Sequence, residues 1–297
     1  MILGGMRPPR AGAAHWLGAV RPRTLPAAVV PVAVGVAVAR STGHVVAWHA
    51  ALALVVSLAM QVGANLGNDY SDGVRGTDAE RVGPVRLVAS GLASPEAVRL
   101  AAVATFAVGA VAGLVLAIAV SAWLVAVGAA AIAAAWLYTG GPRPYGYAGY
   151  GEVSVFIFFG LVAVVGTTYV TSGELPALAY LASVPVGLLA VALLVANNLR
   201  DIGSDAQSGK RTLVVRLGDR RARLLYVAVV VVALASSAGV APWRTFALLG
   251  LVAAPVAARP VRRVLSGASG PDLVPVLAMT GTAQLAFGLA FAIGVAL

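Results

Sequence analysis

From Leu25 to the C-terminus, long runs of Ala, Val, Leu and Gly alternate with shorter stretches that hold most of the chain's charge. The runs fall at Leu25–Ala39, Ala47–Gly67, Ala97–Val120, Ala122–Tyr138, Val153–Thr171, Leu175–Leu199, Leu224–Val240, Trp243–Ala258 and Leu273–Leu297. Most approach the roughly 20 residues that a helix needs to cross about 30 Å of hydrocarbon. None shows the apolar–polar alternation, in segments of about 10 residues, that marks a membrane β-barrel. The pattern predicts an all-α, polytopic membrane protein of nine transmembrane helices in the lipid bilayer. Residues 1–297 read as a single integral membrane domain, with 1–20 as an N-terminal cytoplasmic or interfacial segment anchored by His15 and Trp16. That segment holds Arg and Pro but no compact apolar core, so no cleaved signal peptide is expected.

Composition strengthens this reading. At 60% hydrophobic and 11% charged residues, the chain has too little charge for a soluble domain of its length. The net charge of +10 raises the question of nucleic acid, but its distribution answers it. With a cytoplasmic N-terminus, every Lys and Arg except Arg40 and Arg244 falls in a cytoplasmic segment, as the positive-inside rule requires. Topology accounts for the basic balance, and no nucleic-acid partner is expected. The sequence has no cysteine, which excludes disulfides, thiolate metal sites and a cysteine nucleophile.

The longer connections follow the second, fourth and sixth spans, all on the cytoplasmic side, and long loops on one face usually carry function. Two of them begin with acidic, asparagine-bearing segments: NLGNDYSDGVRGTD (Asn65 to Asp78) and NNLRDIGSDAQSGKRT (Asn197 to Thr212). Of the chain's 11 acidic residues, Asp69, Asp72 and Asp78 lie in the first and Asp201 and Asp205 in the second. N-x-x-x-D recurs at Asn68–Asp72 and Asn197–Asp201, a weak repeat that predicts a site between two half-bundles.

On a helix, Asn68 and Asp72 share a face, as do Asn197 and Asp201, and Asp201 and Asp205. Carboxylates crowded at the mouth of an apolar cavity repel one another unless a cation lies between them. Oxygen ligands without nearby His or Cys suit Mg²⁺, which completes its shell with water and substrate phosphate. A single Asp at a helix end ordinarily caps the helix and faces water. Two clusters at matched offsets on one membrane face instead favour a cation site whose natural ligand is a diphosphate. Lys210 and Arg211 close the second segment and Arg75, Arg81 and Arg86 follow the first, cations placed to hold phosphate oxygens. The same arginines also satisfy the positive-inside rule, and Lys210 is the preferred exception.

Between the fourth and fifth spans lies YTGGPRPYGYAGYGE, a Gly- and Pro-rich loop. Tyr138, Tyr145, Tyr147 and Tyr150 give it aromatic faces that suit a carbocation and equally an interfacial belt. Arg143 is its one base and a candidate for an anionic substrate group. Gln61, within the second span, reads as an interhelical hydrogen bond.

The segments NDYSDGVRGTD, GPVRLVASG, GPRPYGYAGYGEVSVFIFFG and NNLRDIGSDAQSGKRTLVVRLGD together resemble the UbiA superfamily of intramembrane prenyltransferases, and within it the branch whose acceptor is 1,4-dihydroxy-2-naphthoate. The resemblance runs from about Arg21 to the C-terminus. It implies nine helices around a central cavity, two Mg²⁺ ions under a cytoplasmic cap and a lateral opening for the lipid tail. Against the superfamily's N-D-x-x-D-x-x-x-D, Asn68, Asp69 and Asp72 match, Gly76 takes the last position and Asp78 falls two residues later. Asp201 and Asp205 match the second motif, D-x-x-x-D. The resemblance implies a magnesium enzyme of the cell membrane that joins the chain of a polyprenyl diphosphate to 1,4-dihydroxy-2-naphthoate with loss of CO₂, giving demethylmenaquinone. Asn68, Asp69, Asp72, Asp201 and Asp205 are then the expected metal ligands, with Asp72, Asp201 and Lys210 catalytic. Asn65, Asn197, Arg143, Tyr145, Tyr147, Lys210 and Arg211 are the expected substrate contacts, and the role of Asp78 stays open. The rivals are another aromatic acceptor such as 4-hydroxybenzoate and, from a different class, a cation-coupled transporter.

Overall fold

The computed structural model describes residues 11–77, 83 and 85–297. Among them there is no strand, and a helix occupies each of the nine predicted runs. In chain order the helices are α1 (Ala13–Val20), α2 (Pro26–Ser41), α3 (Ala47–Arg75), α4 (Pro95–Ala119), α5 (Leu124–Leu137), α6 (Gly151–Ser172), α7 (Ala177–Arg200), α8 (Ile202–Gln207), α9 (Leu213–Leu217), α10 (Asp219–Val240), α11 (Thr245–Leu265) and α12 (Gly270–Ala296). Seven of these are long and apolar enough to cross a membrane. The stretch containing α1 and α2 makes an eighth if its 50° bend is taken within one span. The predicted fourth span, α5, has only 14 helical residues. The chain is thus a multi-pass membrane protein.

Local chemistry sets the helix ends. Pro26 and Pro95 stand at first-turn positions where a missing N–H costs nothing. Ser94 caps α4 by accepting from the Ala97 N–H at 3.2 Å. Gly76 ends α3 in the left-handed conformation, φ 70°, while the Thr77 N–H returns to the Asp72 carbonyl. On the opposite face the turns are short, and Arg244 donates to the Ser41 carbonyl at 2.9 Å, satisfying an open end of α2.

Helix α7 is apolar on all sides and the most deeply buried span, as such a helix must be inside a bundle. It packs against α10, α6, α12 and α2. Its contact with α6 is backbone to backbone: a Cβ on Gly160 would lie 2.7 Å from the Gly187 Cα. There α6 widens into a π-helical stretch at Phe156–Val162. The first acidic helix, α3, packs on α4. Between α2, α3, α5, α6 and α7 lies a largely apolar cavity of about 650 Å³, and both acidic segments reach its polar end.

Candidate active site

Helix α3 runs two turns past the predicted end of the second span, so Asn65, Asn68, Asp69 and Asp72 all sit on rigid helix. The second segment breaks at Asp201, where the backbone (φ −95°, ψ 6°) leaves α7 and α8 begins. The Asp205 N–H still bonds the Asp201 carbonyl at 2.8 Å, so the expected four-residue relation between these carboxylates survives the break.

These two elements meet at Lys210. Its ammonium lies 3.2 Å from Asp72 Oδ1 and 3.7 Å from Asp205 Oδ1, and all three residues are buried. Asp72 also receives the Tyr147 hydroxyl and lies 3.7 Å from Arg86 Nη2. Asp201 is gripped by its neighbour Arg200, with Nε on Oδ1 at 2.7 Å and Nη2 on Oδ2 at 2.6 Å. Arg200 Nη2 also donates to Asn197 Oδ1 at 2.9 Å. Buried carboxylates this close to one another need such cations, because leaving any one unpaired costs several kcal/mol.

The Tyr138–Glu152 loop lids this end. The Arg211 N–H donates to the Tyr147 carbonyl at 2.8 Å and joins it to the second segment. Arg75 donates to the carbonyls of Thr139 and Gly141 and joins it to α3. Thr139 Oγ1 donates to Asn68 Oδ1 at 2.7 Å. The Lys210 ammonium sits 4.8 Å from the centre of the Tyr147 ring. Burial first, and then the negative charge of Asp72, raise the Tyr147 phenol above its ordinary pKa, so it serves as a neutral donor. The Tyr145 hydroxyl donates to the Ala134 carbonyl at 2.8 Å and lies 2.8 Å from Ser154 Oγ, and burial raises its pKa too.

Asn65, Asn68, Asp72, Asn197, Asp201, Asp205, Lys210, Tyr145 and Tyr147 all line the cavity. Asp69 does not. It is 1% exposed, and its oxygens accept the backbone N–H groups of Leu87 (2.9 Å) and Val88 (3.1 Å), so in this geometry it braces the following loop. Arg143 and Arg211 are exposed and outside the cavity lining, so of the expected substrate contacts these two are not brought to it. Asp78 lies outside the described residues. Gly76, at the last position of the first motif, has a φ at which a side chain is strained, so a carboxylate there would disrupt the cap that ends α3. No three His, Asp or Glu side chains form a ready metal cage among the described residues.

Other residues were not singled out by the sequence. Arg200, inside N-N-L-R-D, holds Asp201. Asn198 Nδ2 donates to buried Glu152 Oε1 at 3.1 Å and links α7 to α6. Arg21 and Thr24, between α1 and α2, also line the cavity. The adjacency of Arg200 to Asp201 was a signal available in the sequence; the other placements depend on packing.

The sequence pattern of the UbiA prenyltransferase family matches residues 28–272. The 1,4-dihydroxy-2-naphthoate octaprenyltransferase of Mycobacterium tuberculosis (strain ATCC 25618 / H37Rv) is 51% identical over 279 residues, covering 94% of this chain and 96% of that protein. The protein of the same name from Escherichia coli (strain K12) is 37% identical over 291 residues, covering 94% of each. Among solved structures, a UbiA homolog from Archaeoglobus fulgidus bound to GPP and Mg2+ shares the fold with a TM-score of 0.64 at 17% identity, over 95% of this chain and 99% of that one.

Proposed function

Because this chain belongs to the UbiA prenyltransferase family, we propose that it transfers a polyprenyl group from polyprenyl diphosphate to 1,4-dihydroxy-2-naphthoate, releasing diphosphate and CO₂ and giving demethylmenaquinone. The observation that carries the reading is the convergence of Asp72 and Asp205, from two distant segments, on Lys210 at the polar end of an apolar cavity. The naphthoate octaprenyltransferases that match over nearly the whole chain support donor and acceptor class together and do not favour 4-hydroxybenzoate. A transporter would carry its charges near the bilayer midplane, whereas these lie at helix ends, and family membership sets that reading aside.

The donor set fits Mg²⁺. Asn68, Asp72, Asn197, Asp201 and Asp205 offer hard oxygens with no nitrogen or sulfur competitor. We assign two ions to these residues, one to each segment; when bound they supply positive charge that steadies the leaving diphosphate. Asp69 is left out because it lies outside the cavity lining, with its oxygens turned to the backbone amides of Leu87 and Val88. Lys210 and Arg86 hold phosphate oxygens at the same end, and Tyr147 fixes the orientation of Asp72 through its hydroxyl. The apolar wall keeps water from the allylic cation, and the rings of Tyr138 and Tyr145 offer it electron-rich surface. Residues 1–297 act as one integral membrane unit, supported by the packing of the first span, α2, on the last, α12. The distribution of Lys and Arg supports a cell-membrane protein with its N-terminus and site-bearing loops in the cytoplasm.

The test is incubation of purified protein with a polyprenyl diphosphate and 1,4-dihydroxy-2-naphthoate, with and without Mg²⁺, read by mass spectrometry. The expected product is prenylated, decarboxylated and Mg²⁺-dependent. Turnover of 4-hydroxybenzoate alone would overturn the acceptor, and inactivity with every aromatic acceptor would overturn the prenyl-transfer reading.

A further inference from the structure

Helices α10 and α11 pack together, and each turns an apolar stripe outward. Leu224, Val231 and Val232 are exposed on α10, and Leu248, Val252 and Pro255 on α11. On helices long enough to cross a bilayer, such faces meet acyl chains. Both stripes end in arginine. Arg220 and Arg221 stand one turn beyond Leu224, and Arg259 stands one turn beyond Pro255. Arg262 and Arg263 continue the Arg259 face of α11, opposite buried Ala257, Pro260 and Val264. Arg223 brings the two ends level, because its Nη1 donates to the Val264 carbonyl at 2.6 Å and ties the start of α10 to the end of α11.

Arg220, Arg221, Arg259, Arg262 and Arg263 are all exposed, and none of them makes an ion pair among the described residues. The nearest acid in sequence, Asp219, is already occupied: Arg223 donates to it from Nε at 2.7 Å and from Nη2 at 2.8 Å. Helix stability does not account for Arg220 and Arg221. They lie in the first turn of α10, where the helix dipole repels a positive charge. Mutual repulsion among the five adds to this, and a bound anion relieves both. The positive-inside rule asks for basic residues on this membrane face. It does not ask them to converge from two helices at the foot of two lipid-facing stripes.

We propose that this edge is a binding site for an anionic phospholipid, with the five guanidiniums around the headgroup phosphate and the acyl chains along the apolar stripes of α10 and α11. Guanidinium forks match phosphate oxygens, and long arginine stems let the charged ends reach the headgroup level from helix positions at the edge of the hydrocarbon. At a bilayer surface each basic residue is worth about a fivefold gain in affinity for anionic lipid. A soluble anion would use the guanidiniums and leave the stripes uncovered, whereas a lipid uses both. That is the reason for assigning the site to a lipid. None of the five arginines lines the cavity, so the site is separate from the prenyl-transfer machinery and does not depend on that reading. A lipid held there clasps α10 to α11 and makes the stability of the bundle depend on the composition of the bilayer.

The test is native mass spectrometry of the purified full chain in a neutral detergent, titrated with phosphatidylglycerol or phosphatidylcholine and paired with thermal melts. Wild type is compared with Arg221→Gln, with the triple variant Arg259→Gln, Arg262→Gln and Arg263→Gln, and with Arg99→Gln, an exposed arginine on α4 that serves as the control. Without added lipid the variants should melt like wild type, because the replaced side chains are exposed. Wild type is expected to retain phosphatidylglycerol in preference to phosphatidylcholine and to melt higher with it. Arg221→Gln should weaken phosphatidylglycerol binding by about fivefold and the triple variant by about 100-fold, while Arg99→Gln leaves it unchanged. Equal retention of the two lipids, or a loss in Arg99→Gln as large as in Arg221→Gln, would overturn the site in favour of diffuse surface charge. Inorganic phosphate that raises the melting temperature as much as phosphatidylglycerol would overturn the lipid as the occupant. Polyglutamate bound in place of phosphatidylglycerol, and lost in the triple variant, would overturn it in favour of an acidic protein.

Discussion

Replacing Asp69 separates the two roles that its place in the first acidic motif allows. Asp69 is buried, and its oxygens accept the N–H groups of Leu87 and Val88. Leu87 is fully buried in a small core with Leu66 and Val98, and the adjacent Arg86 faces Asp72. In Asp69→Ala both N–H donors lose their acceptor, at about 1–3 kcal/mol each and about 2–6 kcal/mol together. That is a large share of the roughly 5–15 kcal/mol that typically separates folded from unfolded chains. Asp69→Asn keeps one acceptor oxygen and turns its NH₂ toward the second donor, so it falls between wild type and alanine. The assay is thermal denaturation in detergent, paired with Mg²⁺ titration of activity below the transition. Both variants should melt earlier, with lower activity as Arg86 loosens, but with the Mg²⁺ half-saturation point unchanged. A variant that melts like wild type yet needs about 10- to 100-fold more Mg²⁺, the loss typical of damaged metal sites, would refute the bracing role and restore Asp69 as a ligand.

Asp72→Asn and Asp201→Asn should remove most turnover while the protein stays folded, and in each the residual activity should need at least about tenfold more Mg²⁺; unchanged Mg²⁺ curves would count against both assignments. Tyr147→Phe deletes the hydroxyl that meets Asp72 and should lower kcat by about tenfold, the worth of one hydrogen bond to a charged group. Because burial and Asp72 both raise the Tyr147 pKa, the phenol stays protonated, so wild type and variant should have the same pH–rate profile between about pH 6 and 10; a basic limb lost in the variant would contradict this. Gly160→Leu forces a side chain into the Gly187 backbone and should cost about 1–3 kcal/mol of stability or more, read as a lower melting temperature, whereas an unchanged melt would show that α6 and α7 separate freely.

The sequence by itself determined the nine helical runs, because a backbone inside hydrocarbon must satisfy its own hydrogen bonds and apolar runs of that length record the requirement locally. It also marked the two acidic segments, since charge is scarce in such a chain and five of its 11 carboxylates lie there. Asn68, Asp72, Asp201, Asp205 and Lys210 were legible for that reason. What each side chain meets was decided by tertiary structure. Asp69 and Asp72 are three residues apart on one helix, yet the first faces the backbone of residues 87 and 88 and the second faces Lys210. Only the packing of later segments distinguishes them. Arg143 and Arg211 are motif residues that the loop leaves exposed, and the Arg211 N–H, rather than its guanidinium, ties the lid to the second segment. Arg21 read as one more cytoplasmic positive charge. Its place in the cavity lining follows from the bend between α1 and α2 and from hydrogen bonds to residues about 40 positions away, a geometry no local pattern encodes.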